Sequence, residues 1–146
     1  MNNAEIVEVL NDLIRINNDR VEGYRRAISE VKDIDSDLKD LFSRFIANSE
    51  NHRSRLSQKV ASLDGEVETG TTNSGKIYRV WMDMKASFSG DNRQAALESC
   101  EFGEDAAQKA YKEALDAYQN LPANVLELIT EQKAELRQDH DLIKQL

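Results

Sequence analysis

Cysteine, proline and glycine are scarce in this chain: one, one and six among 146 residues. The single cysteine, Cys100, excludes an internal disulfide framework and a cysteine-rich zinc site, and points to a reducing compartment. So little glycine and proline leaves few means of making the tight turns of a strand-rich fold. No apolar run approaches the ~20 residues that a membrane-spanning helix requires. The start, Met1-Asn2-Asn3-Ala4-Glu5, has neither the basic n-region nor the apolar stretch of a secretory signal. A basic excess is missing too, since 19 Lys and Arg stand against 27 Asp and Glu for a net charge of −8. Nucleic acid and anionic membrane would both need a basic face, so neither is an expected partner. The expectation is a cytoplasmic protein, folded as one domain over residues 1–146.

Helical periodicity is what the chain has in abundance. From Asn3, the residues Ile6, Val9, Leu10, Leu13, Asn17, Val21, Tyr24, Ile28 and Val31 share one side of a helix running to about Lys32, with Asn2 or Asn3 as its cap. Asp35 or Ser36 caps a second helix, whose stripe is Leu38, Leu41, Phe42, Phe45, Ile46, Ser49, Arg53, Leu56, Val60 and Leu63. The short break between them predicts an antiparallel hairpin. Residues 64–75 are rich in glycine, threonine and acid and read as a loop. A short helix over Ile77–Phe88 follows, with Trp81 as its anchor. A third long helix runs to about Asn120, and Pro122 opens a fourth that carries Val125, Ile129, Leu136, His140 and Ile143 inward.

Two long hairpins joined by a connector with its own small helix predict an all-α, ferritin-like four-helix bundle with one long crossover between helices two and three. Laying Tyr111 on Tyr24 without gaps pairs both hairpins in one register, placing Glu104 on Asn17 and Ile143 on Leu56. The stripe of the third helix is Leu97, Cys100, Glu104, Ala107, Tyr111, Ala114, Tyr118 and Leu121, so Glu104 falls where an apolar residue belongs. A buried carboxylate is costly unless it is paired, protonated or bound to metal.

In the di-iron members of this architecture each hairpin supplies a glutamate from its first helix and Glu-x-x-His from its second. The repeat register puts Asn17, Glu50 and Arg53 at those positions in the first hairpin, and Glu104, Arg137 and His140 in the second. Two of the six are arginines, which cannot coordinate metal and would repel a dication. The reading is a buried polar network of Asn17, Glu50, Arg53, Glu104, Arg137 and His140, in which charge pairing replaces metal. Glu50, Glu104 and His140 remain as residual metal candidates, and His52, Glu101, Glu22 and Asp19 as nearby substitutes. His52 is expected to be half-exposed and Cys100 a packed, inert thiol. Tyr24 and Tyr111 are expected in the core, with hydroxyls reaching polar partners.

Leu10-Asn11-Asp12-Leu13-Ile14, Glu22-Gly23-Tyr24, Leu41-Phe42, Trp81-Met82 and the run from Cys100 through Tyr111 resemble a family of small bacterial proteins of unknown function with a ferritin-like fold. Glu50-Asn51-His52-Arg53 with Leu63-Asp64-Gly65-Glu66 is more distantly similar to rubrerythrin-like proteins, from which Arg53 departs at the histidine position. The resemblance implies the bundle, a loose association with stress, and no reaction. The expected function is therefore non-enzymatic: an interaction or stress-associated protein that forms a homo-oligomer or binds another protein, with no cofactor. The alternative is a metal-binding oxidoreductase or iron-handling protein using iron or manganese. A carrier of a small ligand in the bundle core is a third reading.

Overall fold

The computed structural model describes residues 2–30, 36–70, 93–117 and 120–146. Four helices occupy them: α1 (Asn3–Glu30), α2 (Ser36–Ser62), α3 (Arg93–Ala117) and α4 (Ala123–Gln145). Their limits follow from local chemistry. The Asn2 side chain accepts the Glu5 backbone N–H at 2.9 Å and so caps α1. At the end of α2, Asp64 adopts a left-handed conformation with φ 59° and donates its N–H to the Ala61 carbonyl, while the Gly65 N–H reaches back to Val60, both at 3.0 Å. That pair of bonds is a Schellman cap, satisfying carbonyls that the last turn would otherwise leave open. Pro122, with φ −55°, stands at the N-cap of α4, where a missing N–H costs nothing. The short helix expected over Ile77–Phe88, its Trp81 anchor and the break at residues 33–35 lie outside the described residues.

Side-chain pairs give the direction of every helix. Rising numbers on α1 meet falling numbers on α2, as in Asn18–Arg53, Arg20–Ser49 and Tyr24–Phe45. The same holds between α1 and α3 through Asn17–Tyr111 and Arg20–Glu104. It holds again between α2 and α4 through Arg55–Glu131 and Asn48–Asp139, and between α3 and α4 through Tyr111–Gln132 and His140–Asp105. Since α1 opposes both α2 and α3, those two run parallel, and the chain between them must travel back along the bundle. Its first residues do so against α1. Asn11 donates to the Glu66 carbonyl and accepts from the Glu68 N–H, Arg15 pairs with Glu68 at 2.7 Å, and Asn18 donates to the Gly70 carbonyl. The one-crossover, ferritin-like topology is therefore the observed one.

The core draws on all four helices, with Leu10, Ile14 and Tyr24 of α1, Phe42, Phe45 and Leu56 of α2, Cys100 and Tyr111 of α3, and Ile129 and Leu136 of α4 fully enclosed. Residues 16–21 of α1 are all buried, polar ones included, and the described crossover residues lie against this helix at Asn11, Arg15 and Asn18. Gly65 allows the chain to come this close. A Cβ there would stand 2.7 Å from both methyl groups of Val7 and 3.1 Å from one of Val60. Gly65→Ala is expected to lower stability by about 1–3 kcal/mol through this overpacking, and Val7→Ala added to it to recover part of the loss in urea unfolding. Equal midpoints for wild type and Gly65→Ala would show that the crossover is not held tightly on α1.

Candidate functional site

Arg20 is the most unusual residue of the interior: its guanidinium has 0% exposure, as does its partner Glu104. It lies one turn after Asn17 and one turn before Tyr24, a spacing of three and four that keeps all three on the inner face. The Arg20 Nε and Nη2 donate to Glu104 Oε1 of α3 at 3.2 and 2.6 Å. Its Nη1 donates to the Ser49 hydroxyl of α2, and Nη2 also reaches Asp139 Oδ2 of α4 at 3.3 Å. One cation thus touches a residue of each other helix. The Tyr24 hydroxyl donates to the same Glu104 oxygen at 2.5 Å, and Asn48 Nδ2 supports Asp139 at 3.1 Å. Burial alone would weaken the hold of Arg20 on its proton. Glu104, Tyr24 and Asp139 outweigh that and keep the guanidinium more firmly charged than in water. Burial raises the Asp139 carboxyl above its ordinary range, although Arg20 and Asn48 pull the other way. The Tyr24 phenol is pushed well up by burial and then by Glu104, which keeps it a donor.

A second polar chain crosses the same core. Asn17 donates to the Tyr111 hydroxyl at 2.8 Å, Tyr111 donates to Gln132 at 2.8 Å, and Gln132 donates to the backbone carbonyl of His52 at 3.2 Å. The His52 ring is fully enclosed, and neither of its nitrogens has a hydrogen-bond partner among the described residues; its Nδ1 stands 3.6 Å from Glu135 Oε2. Burial, reinforced by Arg20 and Arg55 against a weaker opposing pull from Glu131, lowers its pKa to about 4. The expectation of a half-exposed His52 is corrected: it takes the core position that the sequence reading gave to Arg53. Cys100 is buried, its thiol pushed up by burial, in keeping with a packed role.

The six residues expected to form one network are not brought together. Asn17 and Glu104 are fully enclosed, as expected. Glu50 is 43% exposed and pairs with Arg25, and Arg53 donates to Asn18 beneath the crossover. Arg137 is 62% exposed and pairs with Asp141 on its own helix, so it is not the partner of Glu104. His140 is buried but turns away from Arg20, toward Asp105 and Asp141. The physical reason is a rotation of one residue, about 100° around a helix. The inward positions are Ser49 and His52 on α2 and Leu136 and Asp139 on α4, which the Tyr24–Tyr111 register also pairs. Glu50, Glu104 and His140 accordingly do not converge on a metal ion.

The inward positions do not fit a di-iron centre. Ser49 and Leu136 stand where the second helices would each supply a glutamate, and the fixed charge of Arg20 lies among the remaining donors. Glu104 Oε2 has no hydrogen-bond partner among the described residues, but its other oxygen is held by three donors belonging to Arg20 and Tyr24. Among the described residues one group does have the composition and spacing of a metal site: Glu101 and Asp105 of α3 with His140 of α4, their ligand atoms within 4.8 Å of one another. Its residues adjoin the interior network in sequence, Asp105 beside Glu104 and His140 beside Asp139, yet are turned about 100° away around their helices.

Arg20→Met is expected to cost about 3–5 kcal/mol, because it leaves buried carboxylates without their cation. Combined with Glu104→Gln it should cost clearly less than the two losses added; additive losses in a chemical denaturation cycle would show the pair to be uncoupled. The acid sensitivity of the fold carries the mark of His52. Unfolded, this imidazole takes up a proton near pH 6.5, whereas the folded chain resists it until about 4. The unfolded state binds the extra proton, so the stability linked to His52 is whole above pH 6.5 and is lost as pH falls toward 4. His52→Met should remove on the order of 3 kcal/mol of that dependence, read from urea midpoints between pH 7 and 4. Parallel curves for the two proteins would refute the assignment.

Comparison with known proteins agrees with this fold. A Dps1 mutant of Mycobacterium smegmatis superposes with a TM-score of 0.78 at 11% identity, covering 97% of this chain and 94% of that one. A protein described as ferritin-like and diiron-carboxylate from Bacillus anthracis str. Ames superposes with a TM-score of 0.70 at 19% identity, covering 98% and 93%. Identities this low establish the fold and nothing finer. Comparison with curated proteins finds no match. The model of the family described as a domain of unknown function, DUF2383, matches residues 5–117. The chain belongs to that family, a ferritin-like bundle family of unknown function.

Proposed function

We propose that this protein is a ferritin-like bundle whose interior ion-pair network stands in place of a di-metal centre, and that it serves as a non-enzymatic interaction protein. The observation that carries this reading is the Arg20 guanidinium, enclosed at the middle of the bundle and bonded to Ser49, Glu104 and Asp139. A fixed cation in a medium of low dielectric repels a dication strongly at contact distances. The donors that would overcome that repulsion are replaced by Ser49 and Leu136. An interior whose polar groups bind one another holds its helices in one register and leaves recognition to the outer faces.

Self-association through such a face is the form of interaction we favour. It is supported by Phe102, 61% exposed on α3; Leu126 and Leu142 of α4 are also exposed but stand on different sides of their helix. No helix among the described residues is long and apolar enough to cross a membrane, so these side chains are not part of a spanning segment. The alternative, iron or manganese chemistry, draws support from the diiron-carboxylate description of one structural relative and from the outer Glu101, Asp105 and His140 group, not from the interior donors.

Two measurements test the reading. Anaerobic loading with Fe(II), followed by air, should leave no interior iron pair and no oxidation beyond that of buffer. It is best done on Asp105→Asn, which removes the outer carboxylate of the Glu101, Asp105 and His140 group. Iron retained in pairs, oxidised rapidly and lost on Glu104→Ala, would overturn the proposal. Sedimentation should find a dimer or larger species that Phe102→Glu dissociates; a monomer at all concentrations would remove the self-association part.

A further inference from the structure

We propose that Glu101, Asp105 and His140 bind one divalent transition-metal ion on the outer face between α3 and α4, with Zn2+ held more tightly than Mn2+ or Fe2+. Glu101 and Asp105 are one helical turn apart, so their carboxylates share a face, and His140 meets them from α4. One imidazole with two carboxylates is a donor set that suits these ions, and water can complete the coordination. Among the three, the usual order of affinities places Zn2+ first.

The protons of His140 make this more than a cluster of acids. Its side chain is 7% exposed and so held in place, with Nδ1 at 3.1 Å from Asp141 Oδ1 and Nε2 at 2.5 Å from Asp105 Oδ1. A neutral imidazole has a single N–H. When that hydrogen is on Nδ1 and donated to Asp141, the Nε2 lone pair is aimed at a carboxylate oxygen. In that tautomer two acceptors face each other at hydrogen-bond distance, a contact that becomes attractive when a cation lies between them, either a proton on Nε2 or a metal ion in its place. A metal ion meets that need while Asp141 orients the ring from behind, the usual carboxylate–histidine–metal relay.

The surrounding charge agrees. Arg137 is bound to Asp141, behind the ring, and so does not occupy the ligand side. Opening the Nε2–Oδ1 contact to about 3.3 Å, the edge of a tetrahedron with ~2.0 Å bonds, is left to Asp105, whose side chain is 62% exposed and can swing. The ion would clamp α3 to α4 directly outside the Arg20 network, since each ligand except Glu101 is the immediate neighbour of a residue that contacts Arg20.

The test is calorimetric titration of the chelator-stripped full chain with Zn2+ alone, then with Mn2+. The wild type should take up one Zn2+ per chain and melt at a higher temperature in its presence. Asp105→Asn and His140→Gln should each weaken binding by roughly 10-fold or more and abolish the thermal shift. X-ray absorption of the wild-type complex should show a histidine nitrogen among the nearest ligands. Asp105→Asn lies at an exposed position and remains decisive if His140→Gln fails to fold. Undiminished Zn2+ affinity in Asp105→Asn, a zinc shell without histidine, or no saturable uptake by the wild type would each overturn the proposal. None of these outcomes bears on the interior network, which is probed by Arg20 and Glu104 variants.

Discussion

A single enclosed positive charge constrains most of this structure. Arg20 has no water to solvate it, so the bundle must supply compensating groups, and it draws them from all three other helices. Each of those groups is correct at one rotation and one height only. Moving any helix by one residue would replace Ser49, Glu104 or Asp139 with a neighbour that points elsewhere. The network contributes little net stability compared with an apolar core, because desolvation offsets most of the attraction. What it offers is discrimination against other packings of four similar amphipathic helices.

The aromatic residues around it make the constraint effective. Tyr24 packs against Phe42 and Phe45 with ring centroids 5.2 and 5.3 Å away, and the Arg20 guanidinium carbon lies 5.6 Å from the centre of its ring. Its face meets the cation and its hydroxyl meets the carboxylate, so one side chain serves both members of the ion pair. The parallel chain from Asn17 through Tyr111 and Gln132 ties the helices together again without a full charge. Tyr24 and Tyr111, related by the internal register, thus do similar work in the two halves of the bundle with different partners.

Interior and exterior are divided between adjacent residues. Glu104 turns in and Asp105 out; Asp139 turns in and His140 aside; Ser49 and His52 are enclosed while Glu50 and Arg53 lie at the edge. This alternation explains why the site was less legible than the fold. An apolar stripe on a helix is broad enough to take in two neighbouring positions, so periodicity alone leaves the assignment open by one residue. Glu50 with Arg53 satisfied the three-residue spacing as well as Ser49 with His52 did, and Arg137 with His140 as well as Leu136 with Asp139. Anchoring the Glu-x-x-His pattern on Glu50 and His140 selected the outer pair in each hairpin. Arg20 was legible in principle, from its spacing to Asn17 and Tyr24, but an arginine on an inner face is easily passed over for the valine beside it.

By itself the sequence determined the helical class, the four long helices, the Asn2 cap of the first and Pro122 at the start of the fourth. It also determined the long connector that sets the topology, and the burial of Glu104 and its two repeat-related tyrosines. These rest on local periodicity and turn chemistry, which act within a few residues. The partner of Glu104, the enclosure of His52, the meeting of Glu101, Asp105 and His140, and the burial of α1 on every side between residues 16 and 21 were decided by tertiary structure. Each depends on which face a second helix or the crossover happens to cover, and the period of one helix holds no information about where another will lie.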